Sequence, residues 1–162
     1  MFGKCKLVVI AAALTACLLI SSAAYAQVRL RVAGNIPVEH SASRAMQLFK
    51  EKVEERSSGQ IRVDLFPAMQ LGGPTENVDQ VRSGTIFGVW TSIAYFSRTL
   101  PEYEAVSLPF LFDNHEQAYK VMDGEVSKIF DAKMSDLGLV NLGYGELGFR
   151  HVTNNLRPIT SV

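Results

Sequence analysis

Apolar and polar positions in this chain follow two alternating periods, which predicts strands and helices in turn. In VRLRVAG (28–34), apolar residues alternate with arginines, as expected for a strand. From Ser41 to Ser58 apolar residues recur at steps of three and four, and Gly59 follows, which predicts an amphipathic helix. QIRVDLFP (60–67) returns to strict alternation and predicts a second strand.

Two further elements follow this first strand-helix-strand unit. Pro74 and Gly84 bracket a short stretch that predicts a helix, because proline suits the first helical turn and glycine often follows the last one. TIFGVWTS (85–92) is almost continuously apolar, which predicts a central strand covered on both faces.

The second half of the chain continues the alternation with helices and a strand. Asp113 and Glu116 resemble a capping box for a helix that runs to Met122. A second periodic stretch predicts a helix that ends at Gly138, and LVNLGY (139–144) predicts a strand. This order is typical of an α/β domain with a mainly parallel sheet.

The N-terminal segment, residues 1–26, has the layout of a secretory signal peptide. Lys4 and Lys6 precede an apolar run at 7–20, and small residues then lead to Ala26. The run is short for a membrane span. We expect cleavage after Ala26 and export to the periplasm, with a mature chain that begins at Gln27. A lipoprotein box at 14–17, with Cys17 lipidated, is the alternative.

Removal of this segment changes the chemistry available to the chain. Cys5 and Cys17 leave with it, so the expected mature chain has no disulfide, no thiol nucleophile and no thiolate metal site. Lys4 and Lys6 also leave, so 14 basic residues face 16 acidic ones. This balance, without any basic run, argues against a nucleic-acid partner.

A Gly-x-Gly-x-x-Gly spacing lies in GYGELGFRHVTNN (143–155), at Gly143, Gly145 and Gly148. A dinucleotide site needs a helix that opens on the third glycine. The stretch FRHVTNNLRP (149–158) instead predicts a short strand that leads into a turn. We therefore expect neither a nucleotide nor any other cofactor.

Ligands of parallel α/β sheets usually bind beyond the carboxyl ends of the strands, which here selects the segments 35–40, 90–95 and 146–154. These segments carry hydrogen-bonding groups and one cation, as a small anionic ligand requires. Each candidate also has an ordinary structural role that would not involve a ligand. An arginine can form a surface ion pair, a tryptophan can pack in the core, and the smaller polar residues and histidine can lie in a turn or a solvated loop. The candidate ligand-binding residues are Asn35, His40, Trp90, Thr91, Ser92, Arg150 and Asn154.

Three separate motifs resemble, in order and spacing, those of the DctP-type substrate-binding proteins of tripartite ATP-independent periplasmic (TRAP) transporters. They are FPAMQLGGPTENVDQVRSGTI (66–86), LPFLFDNHEQAYKVMDG (108–124) and GFRHVTNNLRPI (148–159). The resemblance implies a two-lobed α/β fold, periplasmic-binding-protein-like of the class II type. Residues 27–162 would then form mainly the N-terminal lobe.

The resemblance also implies a function and a role for several candidates. Such a receptor closes on a small organic acid, for example a dicarboxylate, and delivers it to the membrane permease subunits of the transporter. Arg150 corresponds to an arginine that reaches the carboxylate, Asn35 to a position that faces the ligand, and 90–92 to the edge of the pocket.

Two features depart from the family pattern. Phe87 stands where an acidic residue is common. The family continues past RPITSV (157–162) into a strand that carries a second arginine, its main carboxylate anchor. From this we expect the 162-residue chain to supply most of one lobe. An arginine that faces open water gains only about 0–1 kcal/mol from an ion pair, so the chain alone should bind acids at roughly millimolar levels at best.

Two other classes of function remain open at this stage. A secreted α/β enzyme is opposed by the absence of a Gly-x-Ser-x-Gly elbow, of an H-E-x-x-H motif and of metal-ligand spacing around His40, His115 and His151. An envelope adaptor protein would predict repeats or large exposed apolar patches, which the pattern does not suggest.

Overall fold

The computed structural model describes residues 27–157, so residues 1–26 and 158–162 are outside it. The predicted signal peptide and the alternative lipidation at Cys17 therefore lie outside the described residues.

The sheet has three strands in the order β2-β1-β3, and both pairings are parallel. The strands are β1 (Val28–Gly34), β2 (Ile61–Phe66) and β3 (Gly88–Trp90). The predicted α/β class with a parallel sheet is confirmed. The central strand of the described sheet is β1, however, so the prediction that 85–92 is a central strand is wrong.

Strand β3 is also shorter than predicted, because the residues before it end a helix. The Thr85 amide donates to the Gln80 carbonyl at 2.9 Å, which closes the last turn of that helix. Gly84 has φ +74°, the left-handed conformation that such a helix end favours. The Phe87 amide then donates to the Arg31 carbonyl at 3.0 Å, and ladder pairing begins only at Gly88.

Four α-helices and two 3₁₀ helices surround this sheet within the described chain. The α-helices are α1 (Ser41–Arg56), α2 (Pro74–Arg82), α3 (His115–Met122) and α4 (Glu125–Asp136), and the 3₁₀ helices are Ile93–Phe96 and Pro101–Ser107. All four predicted α-helices are therefore present.

The cap of α3 differs from the prediction by one residue. The Asn114 side chain accepts a hydrogen bond from the Gln117 amide at 2.9 Å, so Asn114 is the N-cap and Asp113 is not. The Gln117 side chain in turn accepts from the Asp113 amide at 2.8 Å. The reciprocal arrangement of a capping box is thus present, shifted by one position.

The two strands predicted near the end of the chain are not strands. Residues 139–153 form no ladder with any other described residue. The Leu139 amide donates to the Met134 carbonyl at 3.0 Å and so belongs to the end of α4. Val140 and Leu142 alternate with partly buried neighbours as in a strand, but they are 80 % and 70 % exposed.

The described residues form two apolar clusters. The first lies between the sheet and α1 and is centred on Val32, Met46 and Val63. Here Gly34 is needed for close packing, because a Cβ atom at this position would lie 2.8 Å from the Met46 sulfur. The second joins α2, α4 and both 3₁₀ helices, and its buried members are Val78, Phe96, Leu100, Tyr103, Phe130, Met134 and Leu139.

The free edge of β2 is protected by two side chains of α1. The Val63 amide donates to Glu54 Oε1 at 2.9 Å, and Lys50 Nζ donates to the Val63 carbonyl at 2.8 Å. Lys50 and Glu54 also form an ion pair. An edge strand exposes unpaired backbone groups that invite association with other chains, and this pair occupies two of them.

No described helix combines the length and the apolar character needed to cross a membrane.

We predict that Glu54→Ala lowers the melting temperature more than Glu55→Ala, which removes only an exposed ion pair with Lys52. The pKa of Glu54 lies below its ordinary value of 4.5, mainly because of the hydrogen bond from Lys50 and then that from the Val63 amide. Its stabilising contribution is therefore present above pH 4.5 and is lost as the pH falls through the folded-state pKa.

Thermal melts between pH 3 and pH 7 test this prediction. The difference in melting temperature between wild type and Glu54→Ala should shrink as the pH falls below 4.5, because protonation of the carboxylate removes its contribution. A constant gap between the two proteins across the pH range would contradict it.

Candidate ligand-binding site

The carboxyl ends of β1 and β3 lie side by side, because Gly34 pairs with Trp90 in the parallel register. Asn35 and Thr91 are the residues that follow this pair, so they leave the sheet at the same edge. On the other side of β1, Ala33 pairs with Phe66, which brings the loop after β2 to that edge as well. The sheet therefore groups two of the three predicted ligand-binding segments.

Two polar atoms at this edge are buried without a partner. Asn35 Oδ1 and Thr91 Oγ1 are both inaccessible to solvent and make no hydrogen bond within the described residues. An unpaired buried polar group costs about 1–3 kcal/mol, so native proteins rarely tolerate one without a reason. Asn77 Oδ1 in α2 is unpaired in the same way, but Asn35 Oδ1 and Thr91 Oγ1 are the two such atoms that lie on adjacent strand ends.

The loop after β2 closes over this edge with strained backbone. Ala68 and Met69 have φ values of +51° and +61°, and each such residue costs about 1–3 kcal/mol. Their amides donate to the carbonyls of Ile36 at 3.1 Å and Gly34 at 2.9 Å, respectively. This loop lies within the motif 66–86, but sequence reasoning did not count it among the ligand-binding segments, because neither Ala nor Met signals a left-handed conformation.

Two of the predicted site residues use their side chains as helix caps. His40 is the N-cap of α1, and its Nδ1 atom accepts a hydrogen bond from the Ala42 amide at 3.1 Å. Ser92 is the N-cap of the first 3₁₀ helix, where its hydroxyl oxygen accepts from the Ala94 amide at 3.3 Å. Both residues therefore order the loops that carry Asn35 and Thr91.

Trp90 is half-buried at the same edge and belongs in part to the core. Its ring lies 6.5 Å from that of Phe49 on α1 at an interplanar angle of 57°. This contact fixes the indole beside the strand ends, so the core and the pocket-wall interpretations of Trp90 are compatible.

Arg150 and Asn154 lie apart from this group. Arg150 is exposed and forms no ion pair with another described residue. Asn154 is exposed too, and its Oδ1 atom accepts from the amides of Leu156 at 2.7 Å and Arg157 at 2.9 Å. Asn154 therefore builds the turn that the sequence predicted here. No hydrogen bond joins either residue to Asn35 or Thr91.

The glycine-rich segment before Arg150 is not a nucleotide cradle. No helix opens on Gly148, which has φ +93° within extended chain. The segment is held instead by Tyr144, whose hydroxyl lies 3.1 Å from that of Tyr103 and donates to Asp131 at 3.5 Å. Burial is the main cause that raises the pKa of Tyr144 well above its ordinary value, so the phenol stays protonated.

No group of three or more His, Cys, Asp or Glu side chains within residues 27–157 is arranged to hold a metal ion.

Comparison with known proteins identifies relatives of this chain. The family model described as "bacterial extracellular solute-binding protein, family 7" (DctP) matches residues 32–162. The 2,3-diketo-L-gulonate-binding periplasmic protein YiaO of Escherichia coli is 33 % identical over 115 residues, which are 71 % of this chain and 35 % of that protein.

Solved structures agree with the family match. A TRAP periplasmic solute-binding protein from a Polaromonas species, bound to D-erythronate, has a TM-score of 0.74 and 34 % identity, over 82 % of this chain and 44 % of its own. One from Sulfurospirillum deleyianum, with bound succinate, has a TM-score of 0.75 and 31 % identity, over 83 % and 43 %.

The chain thus spans less than half the length of the relatives it matches, and its described fold corresponds to part of theirs. The family match covers most of the chain, including the segments that carry Asn35, Thr91 and Arg150. The chain belongs to the DctP family of bacterial extracellular solute-binding proteins.

Proposed function

We propose that this chain forms the N-terminal lobe of a receptor that captures a small organic acid and delivers it to the permease of a TRAP transporter. The observation that carries the proposal is the pair of buried, unpaired atoms Asn35 Oδ1 and Thr91 Oγ1. A bound molecule that pairs with both atoms would remove their desolvation cost and so gain affinity.

The chemistry of these two atoms favours a hydroxy acid over a plain dicarboxylate. Asn35 Oδ1 can only accept a hydrogen bond, so its partner must be a donor such as a ligand hydroxyl. Thr91 Oγ1 can donate to a carboxylate or accept from a hydroxyl. Two of the relatives bind sugar acids, namely 2,3-diketo-L-gulonate and D-erythronate, which carry hydroxyl groups in addition to the carboxylate.

Arg150 is our candidate for the carboxylate contact. Its planar guanidinium can donate two parallel hydrogen bonds to one carboxylate, which a lysine cannot do. Its position directly after the anchored glycine-rich segment leaves the side chain free to meet a ligand. The contact becomes strong only where the receptor closes around it and excludes water.

Cellular location and partners follow from the same proposal. A receptor of this kind acts in the periplasm, consistent with the secretory layout of residues 1–26, and we propose that its exported form begins at Gln27. The permease subunits are the proposed partners. We assign no enzymatic activity, because the family to which the chain belongs is one of solute-binding proteins.

A titration with a panel of organic acids tests this function. Chemical-shift changes in ¹⁵N-labelled protein report millimolar as well as tighter binding, and the panel should include D-erythronate, succinate and neutral erythritol. Selective shifts at Asn35 and Thr91 with the acids support the proposal. Turnover of an ester or phosphate panel, without such shifts, would favour an enzyme instead.

We predict that Thr91→Val raises the melting temperature of the free protein and weakens acid binding. Valine has the shape of threonine but no hydroxyl, so the substitution removes a buried unpaired group that costs about 1–3 kcal/mol. Thr85→Val is the matched control, since Thr85 is exposed, precedes the amino end of β3, and its hydroxyl bonds only to that of Ser83 among the described residues. A lower melting temperature for Thr91→Val would show that its hydroxyl is already satisfied.

We predict that Arg150→Ala weakens acid binding about ten- to a hundredfold in a receptor closed around its ligand, where a charged hydrogen bond contributes about 1.5–3 kcal/mol. Arg150→Lys should recover only part of this loss. In an open site the loss should stay below about fivefold, since an exposed ion pair contributes about 0–1 kcal/mol.

Arg56→Ala is the control for lost positive charge, because Arg56 lies at the C-terminal end of α1, away from the strand ends. Equal affinities of Arg150→Ala and Arg56→Ala, measured by calorimetry, would remove Arg150 from the binding site.

A further inference from the structure

The segment that carries Arg150 has no strand partner among the described residues, so something else must hold it. Its upstream part is fixed at Tyr144, as described above. Beyond that point lie Gly145 and Gly148, and glycine loses more conformational freedom on ordering than any other residue. A second anchor after Tyr144 is therefore needed to give Arg150 a defined position.

Glu146 supplies a contact across 31 positions of sequence. Its Oε1 atom accepts a hydrogen bond from Nδ1 of His115, the first residue of α3. A carboxylate can only accept, so the hydrogen must sit on the histidine Nδ1 atom. The Glu146 side chain is 23 % exposed, against 57 % for His115, so the carboxylate is the more enclosed partner.

The same histidine ring also holds the residue before Arg150. Phe149 packs against His115 edge to face, with 4.8 Å between the ring centroids. Tyr119, one turn along α3, stacks on the same imidazole, with 6.3 Å between the ring centroids. One imidazole thus binds Glu146 by a hydrogen bond and Phe149 by an aromatic contact, on both sides of Gly148.

The electrostatics at this end of α3 favour an ionised Glu146. The Tyr119 hydroxyl is the main cause that lowers the pKa of Glu146 below 4.5, and the His115 ring adds to it. The first turn of a helix also attracts negative charge, because its amide groups point toward the terminus.

We propose that Glu146 is a positioning residue for Arg150, acting through His115. This inference rests on the proposed function of Arg150 in ligand binding. Glu146 and Phe149 both contact His115, so both ends of the stretch 146–149 are attached to α3. Arg150 follows directly, so the guanidinium is presented from a rigid base and less freedom is lost when it meets a carboxylate.

Backbone dynamics of the ligand-free 162-residue chain test the anchor itself. We expect ¹⁵N order parameters near 0.8 at Gly148–His151 in wild type, falling below about 0.6 in Glu146→Ala. Glu146→Gln should stay close to wild type, since its amide oxygen can still accept from His115. Glu116→Ala is the matched control, because Glu116 lies in the first turn of α3 as His115 does. Its carboxylate is exposed and forms no ion pair within residues 27–157.

Titration with D-erythronate tests the coupling to Arg150. Glu146→Ala should weaken binding by no more than Arg150→Ala does, about two- to fivefold in the open site, whereas Glu146→Gln and Glu116→Ala should not weaken it. In an Arg150→Ala background, Glu146→Ala should cause no further loss, since residues that act through one another are not additive. Melting temperatures of all variants should confirm that each one is folded.

Two results would overturn the inference. One is an unchanged order parameter at Gly148–His151 in Glu146→Ala, and the other is an equal loss of affinity with and without Arg150. Turnover of an ester or phosphate panel by the wild-type chain, without shifts at Asn35 and Thr91, would contradict the receptor function instead. The order parameters, which need no ligand, would still decide whether Glu146 anchors the segment.

Discussion

The parallel pairing of β1 with both neighbouring strands is the constraint on which the candidate site depends. It places the carboxyl ends of the strands at one edge, and the register puts Asn35 beside Thr91. Side chains of a strand alternate between faces, so a slip of one residue would turn Arg29 and Arg31 toward α1. The contact of Gly34 with Met46 opposes such a slip, because no larger residue fits there.

The periodicity of apolar residues correctly predicted the helices and strands that pack one face against an element adjacent to them in the sequence. β1, α1, β2 and α2 all appear close to their predicted bounds, since their periodicity and capping residues are local signals. The segment 139–144 has a strand-like pattern as well, but a strand also requires a hydrogen-bonded partner. Periodicity reports which face is apolar and does not report whether another strand lies alongside.

The site was predictable to the extent that topology determines it. The rule that ligands bind beyond the carboxyl ends of parallel strands selected Asn35 and Thr91 before their burial was known. It could not separate them from His40 and Ser92, whose side chains cap helices in the same loops. Nor could it find Glu146, because its partner His115 lies in a different motif and only the fold brings them together.

Two kinds of polar group thus meet different energetic conditions in this lobe. Asn35 Oδ1 and Thr91 Oγ1 have already lost their water, so the free protein carries that cost, and in the proposed receptor a ligand that pairs with them would recover it. Arg150 is still hydrated, and a ligand must displace its water before the charge contributes fully. The strand ends therefore pre-organise recognition, whereas the strength of the carboxylate contact depends on how completely the rest of the receptor closes over it.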